Sequence, residues 1–394
     1  MRRTICVVTT SRADYGILRW LMKEIREDPE LELSVIATGA HLSSEFGMTV
    51  SEIEADGFRV DRQIEMLLSS DSAPAIVKSI GVETISLADA LREIGPEFVV
   101  VLGDRYEIVP VALASVVFGM PVVHIHGGES SQGSIDEAFR HAVTKMASVH
   151  FPAAEAYRDR IIQMGEDPDR VFCFGAPGLD ALHRLSLLDR RALETDLKFP
   201  LEGTVALVTY HPVTTEPGAA AEQIGNLLDA IEATGLRAVF TKANADLEGS
   251  VINRKIAEFC DRDPARFRLF ENLGQARYLS CLKGLDLMVG NSSSGLIEAP
   301  SFRLPVVNIG DRQKGRIRAG NVIDAGSAAE QIREGIFRAL SPGFRALLEG
   351  LENPYDRFRD GMTSRRIKDT LKQMPPGKSL IRKQFQGPAS KGPR

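Results

Sequence analysis

Residues 121–151 read PVVHIHGGESSQGSIDEAFRHAVTKMASVHF. The run PVVHIH is short, apolar and β-branched, and it breaks at Gly127-Gly128. A polar turn and a helix-like stretch follow, and a second apolar run, SVHF, closes the unit. Strand, glycine turn, helix, strand is the βα unit of a parallel sheet, whose strands are apolar enough to be covered on both faces. Such a sheet opens its clefts at the carboxyl ends of its strands. That is where this stretch places Glu129, Asp136, Arg140 and His141. Carboxylates and imidazoles are the groups best suited to moving protons near neutral pH, and a glycine turn lets backbone approach a ligand. A bland alternative is a solvated helix carrying structural ion pairs.

The same alternation extends in both directions. Upstream stand TICVVTT, YGILRWLMKEIRED, LELSVIATG and FVVVLGD; downstream stands VFCFGAP, read as a further strand. The charged segment LSLLDRRALETDLKFPLEG interrupts the pattern and reads as a helix and linker. A second series then begins with TVALVTYHP, LRAVFTKAN, FRLFENL, LDLMVGNSSSG and LPVVNIGDR. The fold class is therefore α/β with two Rossmann-like domains. The expected boundaries are 1–185 for the first domain, 186–203 for the helix and linker, 204–374 for the second domain, and 375–394 for a mobile tail rich in Pro, Gly and Lys. A chain of 394 residues is long for one core, which agrees with two.

Bulk properties narrow the function. The net charge of -5 shows no basic excess for nucleic acid. No apolar run approaches the roughly 20 residues that span a bilayer, and the start MRRTICVVTTSRADYG reads as a strand and polar loop, so no membrane partner and a cytoplasmic location are expected. Cys6, Cys173, Cys260 and Cys281 are scattered without a CxxC pair and read as buried thiols rather than as metal ligands or disulfides. No GxGxxG follows the first strand and no GxxxxGK[ST] occurs, which argues against NAD dehydrogenases and P-loop enzymes. No metal and no cofactor are expected.

VGNSSSGLIEA offers an anion site in the second half. Ser292 and Ser293 follow an apolar strand and open a helix, where backbone N–H groups and hydroxyls attract a phosphate, although a plain serine N-cap has the same look. Glu298 lies about a turn beyond, placed to accept from a ribose diol. His211, Asn244 and Arg312 end three further strands, and Arg12 follows the first strand of the other half. A serine-hydrolase elbow is excluded because GNSSSG lacks the GxSxG spacing.

Taken together, SRADYG, LGDRYE, HIHGGE with SIDEAFRHAVTK, YHPVTT, GNSSSGLIE and VVNIGDRQKGR resemble the hydrolysing branch of the UDP-N-acetylglucosamine 2-epimerase family, in the family's order from about Thr4 to Leu340. The resemblance implies a GT-B-type fold with an interdomain active-site cleft, a UDP-sugar substrate, and a homodimer or homotetramer. It places Arg12, Arg105, His211, Asn244, Ser292, Ser293, Glu298 and Arg312 on UDP. It places Asp104, Asp136 and Glu129 in the acid/base set, with His211 stabilising the leaving phosphate. The implied reaction removes the proton from sugar C2, expels UDP to leave a 2-acetamidoglycal, and adds water with inverted C2. On UDP-N-acetylglucosamine it yields N-acetylmannosamine. His126 stands where some hydrolysing members carry a catalytic Glu, so either His126 or Glu129 takes that proton transfer. The substitution also opens UDP-2,4-diacetamido-2,4,6-trideoxyglucose, on the route to legionaminic-type acids, as the alternative substrate. Three other readings are a non-hydrolysing epimerase, whose HVEAGLR-like motif is replaced here by HIHGGES, a GT-B glycosyltransferase, and a silent UDP-sugar sensor.

Overall fold

The computed structural model describes residues 2–70, 72–131, 134–213, 215–243 and 248–387. The chain divides into two compact units: Met1–Glu129 with Asp136–His183 and Arg357–Arg394, and Ser130–Ile135 with Arg184–Asp356.

The first unit is built on β1 (Arg3–Thr9), β2 (Leu31–Thr38), β3 (Arg62–Ile64), β4 (Phe98–Leu102), β5 (Val122–Ile125) and β6 (Val149–Phe151). They form one sheet in the order β3-β2-β1-β4-β5-β6, and the pairings are parallel. Strands such as FVVVL are buried at every position, as a sheet covered on both faces requires. One face packs with Leu18, Leu21 and Ile25 of the helix Arg12–Glu27, the other with Leu87 and Leu91 of the helix Ala73–Ile94 and Val111 of the helix Ile108–Val117.

The second unit repeats the plan with β7 (Val205–Thr209), β8 (Arg237–Thr241), β9 (Phe267–Phe270), β10 (Leu287–Gly290), β11 (Val306–Ile309) and β12 (Val322–Ala325). Its order, β12-β11-β10-β7-β8-β9, is the same topology counted from β7. Both sheets therefore reverse direction once, between β1 and β4 and between β7 and β10. Loops at such a switch point diverge and leave room for a ligand at the carboxyl ends.

Several expectations need correction. VFCFGAP is no strand; only Val171 makes an isolated bridge, to His150, while Phe172 and Phe174 lay their rings against Phe151. Contacts that pack a segment onto an edge strand have taken the place of a seventh ladder. The domain limits 1–185 and 204–374 also shift, because the helix Thr363–Gln373 belongs to the first unit. Ile367 and Leu371 enter the core beside Ile5 and Leu18, and Lys368 reaches the Asp28 carboxylate at 3.0 Å. The helix foreseen in 186–203 exists as Arg190–Leu197 and lies in the second unit. Residues 375–387 are anchored rather than loose. Gly377–Leu380 is a short helix, Lys383 reaches Glu166 at 2.6 Å, and Gln386 N donates to Gly165 O at 3.0 Å. The four cysteines are free and buried, and among the described residues no helix is long and apolar enough to cross a membrane.

One surface of the first unit stands out. The helix Ile108–Val117, IVPVALASVV, carries no charge, and helices apolar all round are ordinarily buried. Here Leu113, Val116 and Val117 are exposed, beside exposed Val77, Val82 and Ile85 of the helix packed against it.

Candidate active site

In the first unit the candidate residues gather where β1, β4 and β5 end. Ser11 caps the helix Arg12–Glu27, accepting from Asp14 N, which puts Arg12 in the first turn beyond β1. Thr10 Oγ1 donates to Asp14 Oδ2 at 2.5 Å, and burial pushes the Asp14 carboxyl up. Beyond β4, Arg105 grips Glu107 Oε1 through Nη2 at 2.8 Å and Nε at 3.1 Å, which fixes one edge of its guanidinium. Glu107 is wholly buried, and burial raises its carboxyl against the opposing pull of Arg105. Glu83, also wholly buried, is pushed well up by burial and then by the Glu107 charge. A carboxyl layer thus lies beneath the Arg105 loop.

Asp104 accepts an ion pair from Arg140, whose side chain is buried in the helix Asp136–Met146. Asp136 opens that helix, and residues four apart share a face, so Asp136 and Arg140 stand one above the other on the helix that holds Asp104.

The two histidines of HIH separate into different tasks. His124 Nε2 donates to Gly103 O at 2.7 Å and its Nδ1 accepts from Thr144 Oγ1 at 3.2 Å. Both ring nitrogens are used, and burial pushes its pKa down to about 3, so His124 is a neutral tie between β5 and the Asp104 loop. His126 lies one residue past β5. Its N–H continues the ladder to Phe151 O at 3.1 Å, and its φ of +61° then turns the chain. For a non-glycine residue that region costs about 1–3 kcal/mol and is concentrated at functional sites, though His is among the side chains that tolerate it. His126 Nδ1 meets Glu129 Oε1 at 2.5 Å, and both side chains are buried. Gly128 completes the turn at φ +75°, where a Cβ would stand 2.5 Å from Tyr157 O, and Arg160 holds its carbonyl at 2.6 Å.

In the second unit the centre is Asn291, immediately after β10. Its Oδ1 accepts from His211 N at 2.7 Å and its Nδ2 donates to His211 O at 2.8 Å. Its own carbonyl accepts from Gln313 Nε2 at 2.8 Å and Arg312 Nη1 at 3.3 Å. One buried amide thereby ties the ends of β7, β10 and β11 together. Gly290 permits this, since at φ +141° a Cβ would overlap the Thr209 carbonyl. Ser292 and Ser293 are partly buried, and Ser292 Oγ lies 3.2 Å from Ser294 Oγ, which also bonds Tyr278 OH. The helix they open, Ser294–Ile297, is only four residues long and ends at Glu298. The helix-dipole attraction foreseen there is correspondingly short-ranged, and the donors present at this turn are the serine hydroxyls, backbone N–H groups and Arg312. Arg316 holds the loop after Glu129, donating to Ser130 O at 3.3 Å and Ser131 Oγ at 3.2 Å.

Each sheet has thus brought its own candidates to the carboxyl ends of its central strands: Arg12, Asp104, Arg105, His126, Glu129 and Asp136 beyond β1, β4 and β5 in the first unit; His211, Ser292, Ser293, Glu298 and Arg312 beyond β7, β10 and β11 in the second. Asn244 lies outside the described residues. Sequence reasoning missed Asn291, Gln313 and Arg316. Asn291 carried a signal, an amide between Gly290 and the serines, able to donate and accept at once.

The family model described as UDP-N-acetylglucosamine 2-epimerase matches residues 23–372. The chain belongs to this family. Among similar proteins, the GDP/UDP-N,N'-diacetylbacillosamine 2-epimerase (hydrolyzing) of Campylobacter jejuni is 41% identical over 325 residues, 82% of this chain and 84% of its own. The UDP-N,N'-diacetylbacillosamine 2-epimerase (hydrolyzing) of Legionella pneumophila is 36% identical over 384 residues, covering 97% and 99%. The crystal structure of UDP-GlcNAc 2-epimerase from Neisseria meningitidis superposes with a TM-score of 0.80 over 94% of this chain and 100% of that one. Its identity is 19%, so it speaks for the fold, the GT-B-type pair of Rossmann-like units.

Proposed function

We propose that the chain is a hydrolysing UDP-sugar 2-epimerase whose preferred substrate is UDP-N,N'-diacetylbacillosamine, that is, UDP-2,4-diacetamido-2,4,6-trideoxyglucose. The observation that carries the epimerase chemistry is the turn after β5, where His126 meets Glu129 at 2.5 Å, on the strand next to the one that leads to Asp104 and its ion pair with Arg140. Epimerisation at C2 requires a base on one face of the sugar and an acid on the other, and His126, paired with Glu129, together with Asp104 and Asp136 supplies more than one proton carrier. The C2–H bond breaks, its electron pair forms the C1=C2 bond, and the C1–O bond breaks as UDP departs. Water then gives its hydroxyl to C1 while C2 is protonated from the opposite face, which releases the 2-epimer as a free sugar.

Charge develops on the departing diphosphate, where cations and donors act most strongly. Arg12, Arg105, Arg312, Ser292, Ser293 and Asn244 are assigned to UDP, Glu298 to the ribose, and His211 to the leaving phosphate. The two hydrolysing relatives favour the diacetamido substrate. UDP-N-acetylglucosamine is the second reading, favoured by the description of the family model. The exposed Leu113, Val116 and Val117 of the uncharged helix Ile108–Val117 support a second copy of the chain covering that face, as a homodimer. The substrate is tested by initial rates of UDP release from the two sugars at equal enzyme. A kcat/KM at least tenfold higher for the diacetamido sugar is expected; the reverse order assigns the enzyme to UDP-N-acetylglucosamine.

A further inference from the structure

We infer that His126 and Glu129 act as a dyad in which His126 Nε2 takes the C2 proton and Glu129 never touches the substrate, serving instead to fix the imidazole. This inference rests on the elimination chemistry assigned above and decides between two residues that the sequence leaves equivalent.

Glu129 is buried against the imidazole. Its side chain is 2% exposed, and Oε1 lies 2.5 Å from His126 Nδ1. An ionised carboxylate can only accept, so Nδ1 carries the hydrogen, and the other ring nitrogen of the neutral imidazole then holds a lone pair. That nitrogen, Nε2, is buried and makes no hydrogen bond among the described residues. A buried acceptor without a partner is costly, and native structures retain few of them without a use. The contrast with His124, two residues earlier in the same run, is direct, because both of its nitrogens are satisfied by Gly103 O and Thr144 Oγ1. Fold stability accounts for His124 and leaves His126 Nε2 over.

The backbone supports the same division. His126 sits in the left-handed region at the carboxyl end of β5, next to the strand that carries Asp104, while the turn folds Glu129 back behind the ring. A carboxylate behind an imidazole holds one tautomer and stabilises the imidazolium formed when the ring accepts a proton. In the elimination the C2–H pair becomes the C1=C2 bond, UDP leaves with the C1–O pair, and the proton resides on Nε2 until it passes to solvent. The acid that later protonates C2 recovers its proton from the water that hydroxylates C1, so the cycle closes without another reactant.

The test combines a spectroscopic readout with kinetics. Protein labelled with 15N-histidine is examined without substrate by long-range proton–nitrogen correlation, with the His126 signals assigned by their loss in His126→Asn. Asn tolerates the left-handed backbone and keeps a donor toward Glu129. The wild type should show His126 protonated on Nδ1, and Glu129→Gln should move the proton to Nε2. Glu129→Gln should lower kcat at least 100-fold with KM within threefold, and His126→Asn should lower kcat about 1000-fold with UDP affinity within threefold. A wild-type ring protonated on Nε2, or a Glu129→Gln enzyme with kcat within threefold of wild type, overturns the dyad. If Glu129→Gln loses its fold by circular dichroism, the wild-type tautomer and His126→Asn decide instead. A wild type that releases UDP from neither sugar overturns the reaction, whereas the tautomer and its response to Glu129→Gln still test the dyad.

Discussion

Replacing Asn291 by alanine should damage the second unit more than any single serine in the motif around it. Asn291 is fully buried, and its amide satisfies both the N–H and the C=O of His211, at 2.7 and 2.8 Å. Truncation leaves both groups of a buried backbone residue without those partners, and each such loss costs about 1–3 kcal/mol. The sum is about 2–6 kcal/mol, a large part of the roughly 5–15 kcal/mol that holds a domain folded. Asn291→Asp separates the two bonds, since a carboxylate still accepts from His211 N while facing His211 O without a donor. It should fall at or beyond half the alanine cost. The functional consequence comes through geometry. The Asn291 carbonyl positions Arg312 and Gln313, and its side chain positions His211, so the amide links three strand ends assigned to UDP. Urea unfolding followed by circular dichroism gives the stability change, and calorimetric titration with UDP gives the affinity. A UDP affinity lowered at least tenfold at a temperature where the variant remains folded is expected. A stability change under 1 kcal/mol together with unaltered UDP binding would refute the claim that Asn291 organises the site.

Four further outcomes follow from the geometry. Gly290→Ala should be poorly tolerated, because its Cβ overlaps the Thr209 carbonyl at φ +141°; soluble yield and melting temperature near wild type would contradict it. His41 lies buried between Thr9 and Thr49, and burial lowers its pKa from 6.5 to about 4. The unfolded chain therefore holds the extra proton between those values, so the stability His41 supports is full above pH 6.5 and declines toward pH 4. His41→Gln should flatten the stability curve there by about 1.4 kcal/mol per pH unit, and an unchanged slope refutes the assignment. Deleting residues 376–394 removes the Lys383 bond to Glu166 and the Gln386 bond to Gly165, and should lower the melting temperature; no change would mean that the anchoring of residues 376–387 contributes nothing. Ile85→Arg with Val117→Glu should convert a dimer to a monomer by light scattering, since both side chains are about three-quarters exposed at 75% and 78%; an unaltered mass places the interface elsewhere.

Much of this was legible in the sequence, for physical reasons that also mark where legibility stops. Both series of strands declare themselves because a parallel sheet covered on two faces demands unbroken apolar runs, as in FVVVL and VALVT. The edge strands β3, RQI, and β12, VIDA, escape notice because they are short and only partly buried. VFCFGAP misleads in the opposite direction, since its aromatic rings are apolar for the sake of Phe151 rather than for a ladder. The helix Thr363–Gln373 reads as a continuation of the second unit because local pattern carries no information on which core receives Ile367 and Leu371. At the site, charged residues after glycine turns were visible, and the tasks of His124 and His126 were not. Both stand in one alternating run, and only the turn at Gly127-Gly128 decides which ring meets Gly103 and which meets Glu129.

The most direct test of hydrolysing epimerisation is proton NMR of the wild-type enzyme with UDP-2,4-diacetamido-2,4,6-trideoxyglucose in deuterated water. UDP should be released in step with a free sugar of manno configuration carrying one deuterium at C2. A 2-epimer still joined to UDP, or UDP released with the original C2–H intact, would contradict it.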